Sequence, residues 1–131
     1  RQRQMCIRDR FIRVKARAIY KEQMRSFARA WSRGVKIAAG TDMGPFYFPL
    51  SRASLVSELA TMVTCGMEPL AAIDAATRVA AEMLGAAGDL GTVEPGKLAD
   101  LLLVEGDPTR NLDDLNRVRL VMKGGRIITG P

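Results

Sequence analysis

Asp42 closes the run Ile37-Ala38-Ala39-Gly40-Thr41-Asp42 and opens a loop broken by Gly44, Pro45 and Pro49. A carboxylate at the C-terminal tip of a buried strand is placed to hold a metal ion, or to move a proton on and off an attacking water. An aspartate there can equally be a turn or capping residue, because its short side chain bonds nearby backbone. The rest of the chain limits the first option. It contains no histidine, and a hydrolytic zinc centre ordinarily needs imidazole ligands. Asp42 therefore reads as one part of a centre that this polypeptide cannot complete. Cys6 and Cys65 lack the short spacing of a zinc knuckle or a disulfide framework. Cys65 reads as a small buried hydrophobe.

The elements that must position Asp42 follow from periodicity. Residues 11–33 read as a helix, with Ile12, Ala16, Ile19, Phe27 and Trp31 near one stripe and Arg13, Lys15, Lys21, Arg25 and Arg29 opposite. Tyr20 and Met24 widen the stripe, and Gly34 ends the helix. Residues 35–39 then read as a short buried strand. Helices are expected over 52–65, stopped by Gly66; over 69–76, opened by Pro69; and over 77–84, stopped by Gly85. Thr77 reads as a helix cap and Glu68 as a weak one. Beyond residue 90 the texture turns to strands. Glu94-Pro95-Gly96-Lys97 has the composition of a type II turn. Leu98 to Val104 is an apolar strand interrupted by Asp100. Val118 to Met122 and Arg126 to Thr129 flank Gly124-Gly125, a tight-hairpin signal.

Composition bounds the rest. The apolar fraction of 47% and charged fraction of 26% suit a folded protein, and 131 residues make one small domain or a piece of a larger one. The formal charge of +6 is unevenly spread: residues 1–36 carry 12 Lys/Arg against 2 acids, and residues 37–131 carry 8 against 12. No aromatic or Gly-rich recognition module accompanies the basic stretch, so nucleic-acid binding is not expected. No apolar run is long enough for a bilayer, so no membrane partner is expected either. Two scattered thiols fit a reduced, cytoplasmic setting. The opening ten residues, Arg1 to Arg10, have no helical or strand period. They resemble a string that arises when sequencing-adaptor DNA is translated, and are set apart from the fold.

Four stretches together resemble the amidohydrolase superfamily, in its imidazolonepropionase and metal-dependent prolidase branch. The first is Gly34-Val35-Lys36-Ile37-Ala38-Ala39-Gly40-Thr41-Asp42. The second is Glu58-Leu59 followed by Cys65 to Ile73, and the third runs from Ala75-Ala76-Thr77 to Leu84-Gly85. The fourth, Leu90 to Leu101 with Gly106-Asp107-Pro108 after it, is the most specific in order and spacing. The resemblance covers roughly residues 11–130.

The resemblance implies an α/β fold: the C-terminal portion of a (β/α)8 barrel over residues 11–90, with residues 35–39 as its last strand. Residues 91–131 would be the returning strands of a small β-sandwich. It implies a metal-dependent hydrolase of carbon–nitrogen bonds in a non-peptide amide, cyclic amide or dipeptide. Asp42 would be its metal ligand and proton shuttle, and zinc its expected metal. Met43, Gly44 and Phe46 would contact a small-molecule substrate, while Thr41 and Glu58 would support the carboxylate from behind. The histidines of the family pattern have no counterpart here, so this chain alone is expected to be inactive and to bind no metal tightly. Its expected partner is the missing N-terminal barrel portion, and an oligomer is compatible. Two other readings stay open: a stand-alone interaction module, and one half of a split enzyme.

Overall fold

The computed structural model describes residues 18–42 and 55–130. The chain divides into two compact units, Arg1–Val35 and Lys36–Pro131.

In the first unit the described part of helix α1 spans residues 18–32. Met24, Phe27, Ala28 and Trp31 are half-buried, at the spacing of one helical face. Ile19 and Tyr20, expected on that stripe, are exposed. An exposed Glu22–Arg25 pair lies opposite, at 2.8 Å. The helix closes at Gly34, whose amide bonds Trp31 O while Val35 N bonds Ala30 O. This paired 6→1 and 5→2 closure needs a left-handed residue, and Gly34 has φ 74°. The stops at Gly66 and Gly85 follow the same pattern: Met67 N bonds Met62 O, and Ala86 N bonds Ala81 O.

In the second unit α2 (Leu55–Thr64), α3 (Pro69–Ala76) and α4 (Arg78–Met83) pack in sequence. Leu59, Met62, Met67, Ala72, Ala75, Val79 and Ala81 form the core between them. The small side chains at 72, 75 and 81 let the helices approach closely. Glu68 sits at the α3 N-cap without a side-chain bond, as a glutamate is expected to. Thr77 ends α3 and begins α4, but its hydroxyl donates back to Ile73 O at 2.8 Å and does not cap the second helix.

Three antiparallel strands follow: β1 (Leu101–Val104), β2 (Val118–Lys123) and β3 (Arg126–Thr129), in the order β1-β2-β3. Leu101 faces Met122, Leu103 faces Leu120, and Lys123 faces Arg126. A 3-10 turn at Leu112–Asn116 packs on both α2 and β1, with Leu112 buried against the helical core. The sheet is joined to the helices at this turn. No helix among the described residues is long and apolar enough to cross a membrane.

Two expectations need correction. Residues 35–39 belong to no strand ladder among the described residues. A strand of this kind needs hydrogen-bonded neighbours, and among the described residues the three strands pair only with one another. The apolar strand expected from Leu98 begins at Leu101. Asp100 ends the ladder, because its carboxylate accepts the Gly124 amide at 2.6 Å and Ala99 O accepts from Gly125 N at 3.1 Å. The residue that interrupts the apolar pattern thus secures the β2–β3 turn.

Candidate functional site

The segment leading to Asp42 lies across the helices of the second unit. Ala39 N donates to Ala75 O in α3 at 2.9 Å. Gly40 N donates to the Glu58 carboxylate of α2 at 3.2 Å. Lys36 Nζ lies 2.7 Å from Glu82 Oε2 of α4. Each of the three helices thus supplies one anchor. Ile37, Ala38 and Ala39 are half-buried between them, and Thr41 is half-buried beside Asp42.

Asp42 is exposed, and it alone among the described non-glycine residues has a positive φ, 47°. Aspartate tolerates this region better than most residues, because its carboxylate can bond local backbone. Its side chain is exposed at the end of the anchored segment. Met43, Gly44 and Phe46, expected to contact substrate, lie outside the described residues.

The structure brings together three of the expected residues: Thr41 and Asp42 on the segment, and Glu58 through Gly40 N. It does not gather a metal-binding set. Among the described residues no three His, Cys, Asp or Glu side chains are grouped to hold an ion. The described donors therefore do not make up a hydrolytic metal centre: one exposed carboxylate leaves coordination undefined.

Charged residues beyond those singled out from sequence stand behind the segment. Arg78 bridges Asp74 and Glu82, donating to Asp74 Oδ1 at 2.9 Å and to Glu82 Oε1 at 2.6 Å. Its second bond to Asp74 makes that contact two-pronged. With Lys36 the string reads Asp74–Arg78–Glu82–Lys36. Hydrogen bonds from Lys36 first, and Arg78 second, hold the Glu82 carboxyl below its usual range. The i, i+4 spacing of 74, 78 and 82 is visible in the sequence, but its link to Lys36 is not.

A cavity of about 710 Å³ lies between α3–α4 and residues 90–104. Ile73, Ala80, Leu84, Leu98 and Leu101 line it, and its one carboxylate, Asp100, is already bonded to Gly124 N. Its two hydroxyls are engaged as well, Thr77 donating to Ile73 O and Thr92 accepting from Lys97 Nζ, so it has the chemistry of an interior surface. Asp114 is buried for another reason: it accepts the Asp107 amide at 2.9 Å and orders the loop that follows β1. Burial of the Cys65 thiol pushes its pKa up, which disfavours the reactive thiolate.

Residues 6–128 match the Amidohydrolase family. The chain is 41% identical over 103 residues to an imidazolonepropionase of Aromatoleum aromaticum, covering 76% of this chain and 25% of that protein. It is 37% identical over 98 residues to an imidazolonepropionase of Shouchella clausii, covering 72% of this chain and 22% of that one. A crystal structure of a Xaa-Pro dipeptidase with bound methionine in the active site superposes with a TM-score of 0.74 at 37% identity, over 82% of this chain and 25% of that one. The chain thus spans about a quarter of the length of the relatives it matches.

Proposed function

The chain belongs to the amidohydrolase family, and on that premise we propose that it is the C-terminal part of a hydrolase that cleaves a carbon–nitrogen bond. The match over residues 6–128 carries this reading. The names of the similar proteins point to a cyclic amide or an Xaa-Pro dipeptide as the substrate class.

Asp42 is the reacting carboxylate in this proposal. As water adds to the carbonyl carbon, Asp42 takes its proton and passes it to the departing nitrogen. The C–O bond forms and the C–N bond breaks without release of a strongly basic amide anion. An exposed carboxylate at the end of an anchored segment suits both transfers. In this proposal Thr41 and Glu58 hold the segment, and Met43, Gly44 and Phe46 are assigned to substrate contact by the family resemblance. A divalent ion, zinc by the family pattern, is expected in the parent protein. Its other ligands must come from outside this chain, which has no histidine. The isolated 131-residue chain is accordingly inactive.

The test is a chimera in which residues 34–131 replace the corresponding end of the Aromatoleum aromaticum relative. It is assayed on an imidazolone-propionate ring and on Xaa-Pro dipeptides. Hydrolysis of either is expected, with Asp42→Asn lowering kcat by at least about 100-fold, the scale of a lost acid–base group. A folded, metal-loaded chimera that cleaves neither substrate would refute the proposal. Full activity in Asp42→Asn would remove Asp42 from its role.

A further inference from the structure

The segment before Asp42 has no ladder partner among the described residues, so side chains and helix carbonyls must fix it. Two of its three anchors are carboxylates, and they differ in how they are held. Glu58 accepts from Gly40 N with one oxygen, Oε1. Glu82 is engaged at both oxygens, Oε2 by Lys36 at 2.7 Å and Oε1 by Arg78 at 2.6 Å. Arg78 is itself fixed by Asp74 on the preceding helix. This string crosses the break at Thr77, so it also ties α3 to α4. The same two helices receive the segment at Ala75 O and at Glu82.

We propose that Glu82 and Lys36 are positioning residues for Asp42, setting where the 36–42 segment lies on the helices so that the carboxylate meets the reacting bond. Neither touches substrate. Lys36 is largely exposed, with 69% of its side chain accessible, so the pair acts through geometry more than through the strength of one contact. Arg78 keeps Glu82 in a single orientation, and Lys36 carries that orientation to the segment six residues before Asp42. The proposal rests on the reading of Asp42 as the reacting carboxylate, and its test separates the two.

The measurement is amide hydrogen exchange on the full chain, comparing wild type, Lys36→Met, Glu82→Gln and the double variant. Each single variant is expected to speed exchange at Ala39 and Gly40 by about 2- to 5-fold, the range that an exposed ion pair supports. Leu120 and Val121, in the β1–β2 ladder, should not change. The double variant should match Glu82→Gln, because that substitution already removes the Lys36 contact. Unchanged exchange at Ala39 and Gly40, a multiplicative double variant, or faster exchange throughout would overturn the proposal. In the chimera, Lys36→Met should lower kcat by a similar factor and leave KM in place. Faster exchange with an unmoved kcat would break the link to Asp42. Hydrolysis that survives Asp42→Asn would instead refute the reading of Asp42, with the anchor intact.

Discussion

Asp42 and Gly91 show how single backbone positions limit this fold. Asp42 adopts φ 47° at the end of the segment that the helices anchor. That conformation costs a typical side chain about 1 kcal/mol or more, and rigid neighbours must hold it. Gly91 is tighter still. It has φ 94°, and a Cβ there would lie 2.7 Å from Ala81 Cβ and 3.0 Å from Thr77 O. Both the dihedral and the space demand glycine at the α3–α4 junction. Gly91→Ala should therefore destabilise the chain by about 2–4 kcal/mol. Gly88→Ala has open space and no positive φ, and should stay within about 1 kcal/mol. Urea unfolding followed by circular dichroism distinguishes them, and equal midpoints would show that the contact at Gly91 is not formed.

The hairpin and the helices rely on different kinds of support. Helices α1, α2 and α4 close on a glycine within their own sequence, drawing on residues five positions apart, while α3 ends at Thr77. The β2–β3 turn has Gly124 at φ 54° and Gly125 at φ 78°, the left-handed pair of a type I′ connection. It also depends on Asp100, which lies 24 residues away and accepts the Gly124 amide. Lys123 approaches the same carboxylate at 3.6 Å. Asp100→Ala should cost about 1 kcal/mol. Exchange at Gly124 should speed up before that of the β1–β2 ladder. If the Gly124 amide exchanges at the wild-type rate in that variant, the carboxylate does not secure the turn.

Across the second unit, charge makes stability depend on acid. Lys36 and Arg78 hold Glu82 below its usual range, and the Thr109 hydroxyl does the same for Asp107. A carboxyl whose native value is depressed binds fewer protons folded than unfolded. Its contribution is complete above the unfolded value, near 4 for these groups, and disappears as pH falls through the native value. The thermal midpoint should therefore be level from about pH 7 to 5 and fall below about pH 4.5. Lys36→Met should flatten the fall. A midpoint that rises on acidification would contradict these assignments. Leu102, Leu103, Ile127 and Ile128 are more than half exposed on the sheet. Chain that covers only a quarter of its relatives' length is compatible with such uncovered surface.

The sequence alone determined what depends on near neighbours. The stops at Gly34, Gly66 and Gly85, the start at Pro69 and the Gly124-Gly125 hairpin are each local conformational choices, legible within five residues. Asp42 was identifiable because a short apolar run ends on it before a Gly/Pro loop. Tertiary structure decided how that run is held. Residues 35–39 have the pattern of a strand, but without ladder partners among the described residues they are anchored to helices. Glu58 reaches Gly40 across 18 positions and Glu82 reaches Lys36 across 46. Periodicity reports which face of an element is apolar. It carries no information about which distant charge meets another, because that depends on how the chain closes on itself.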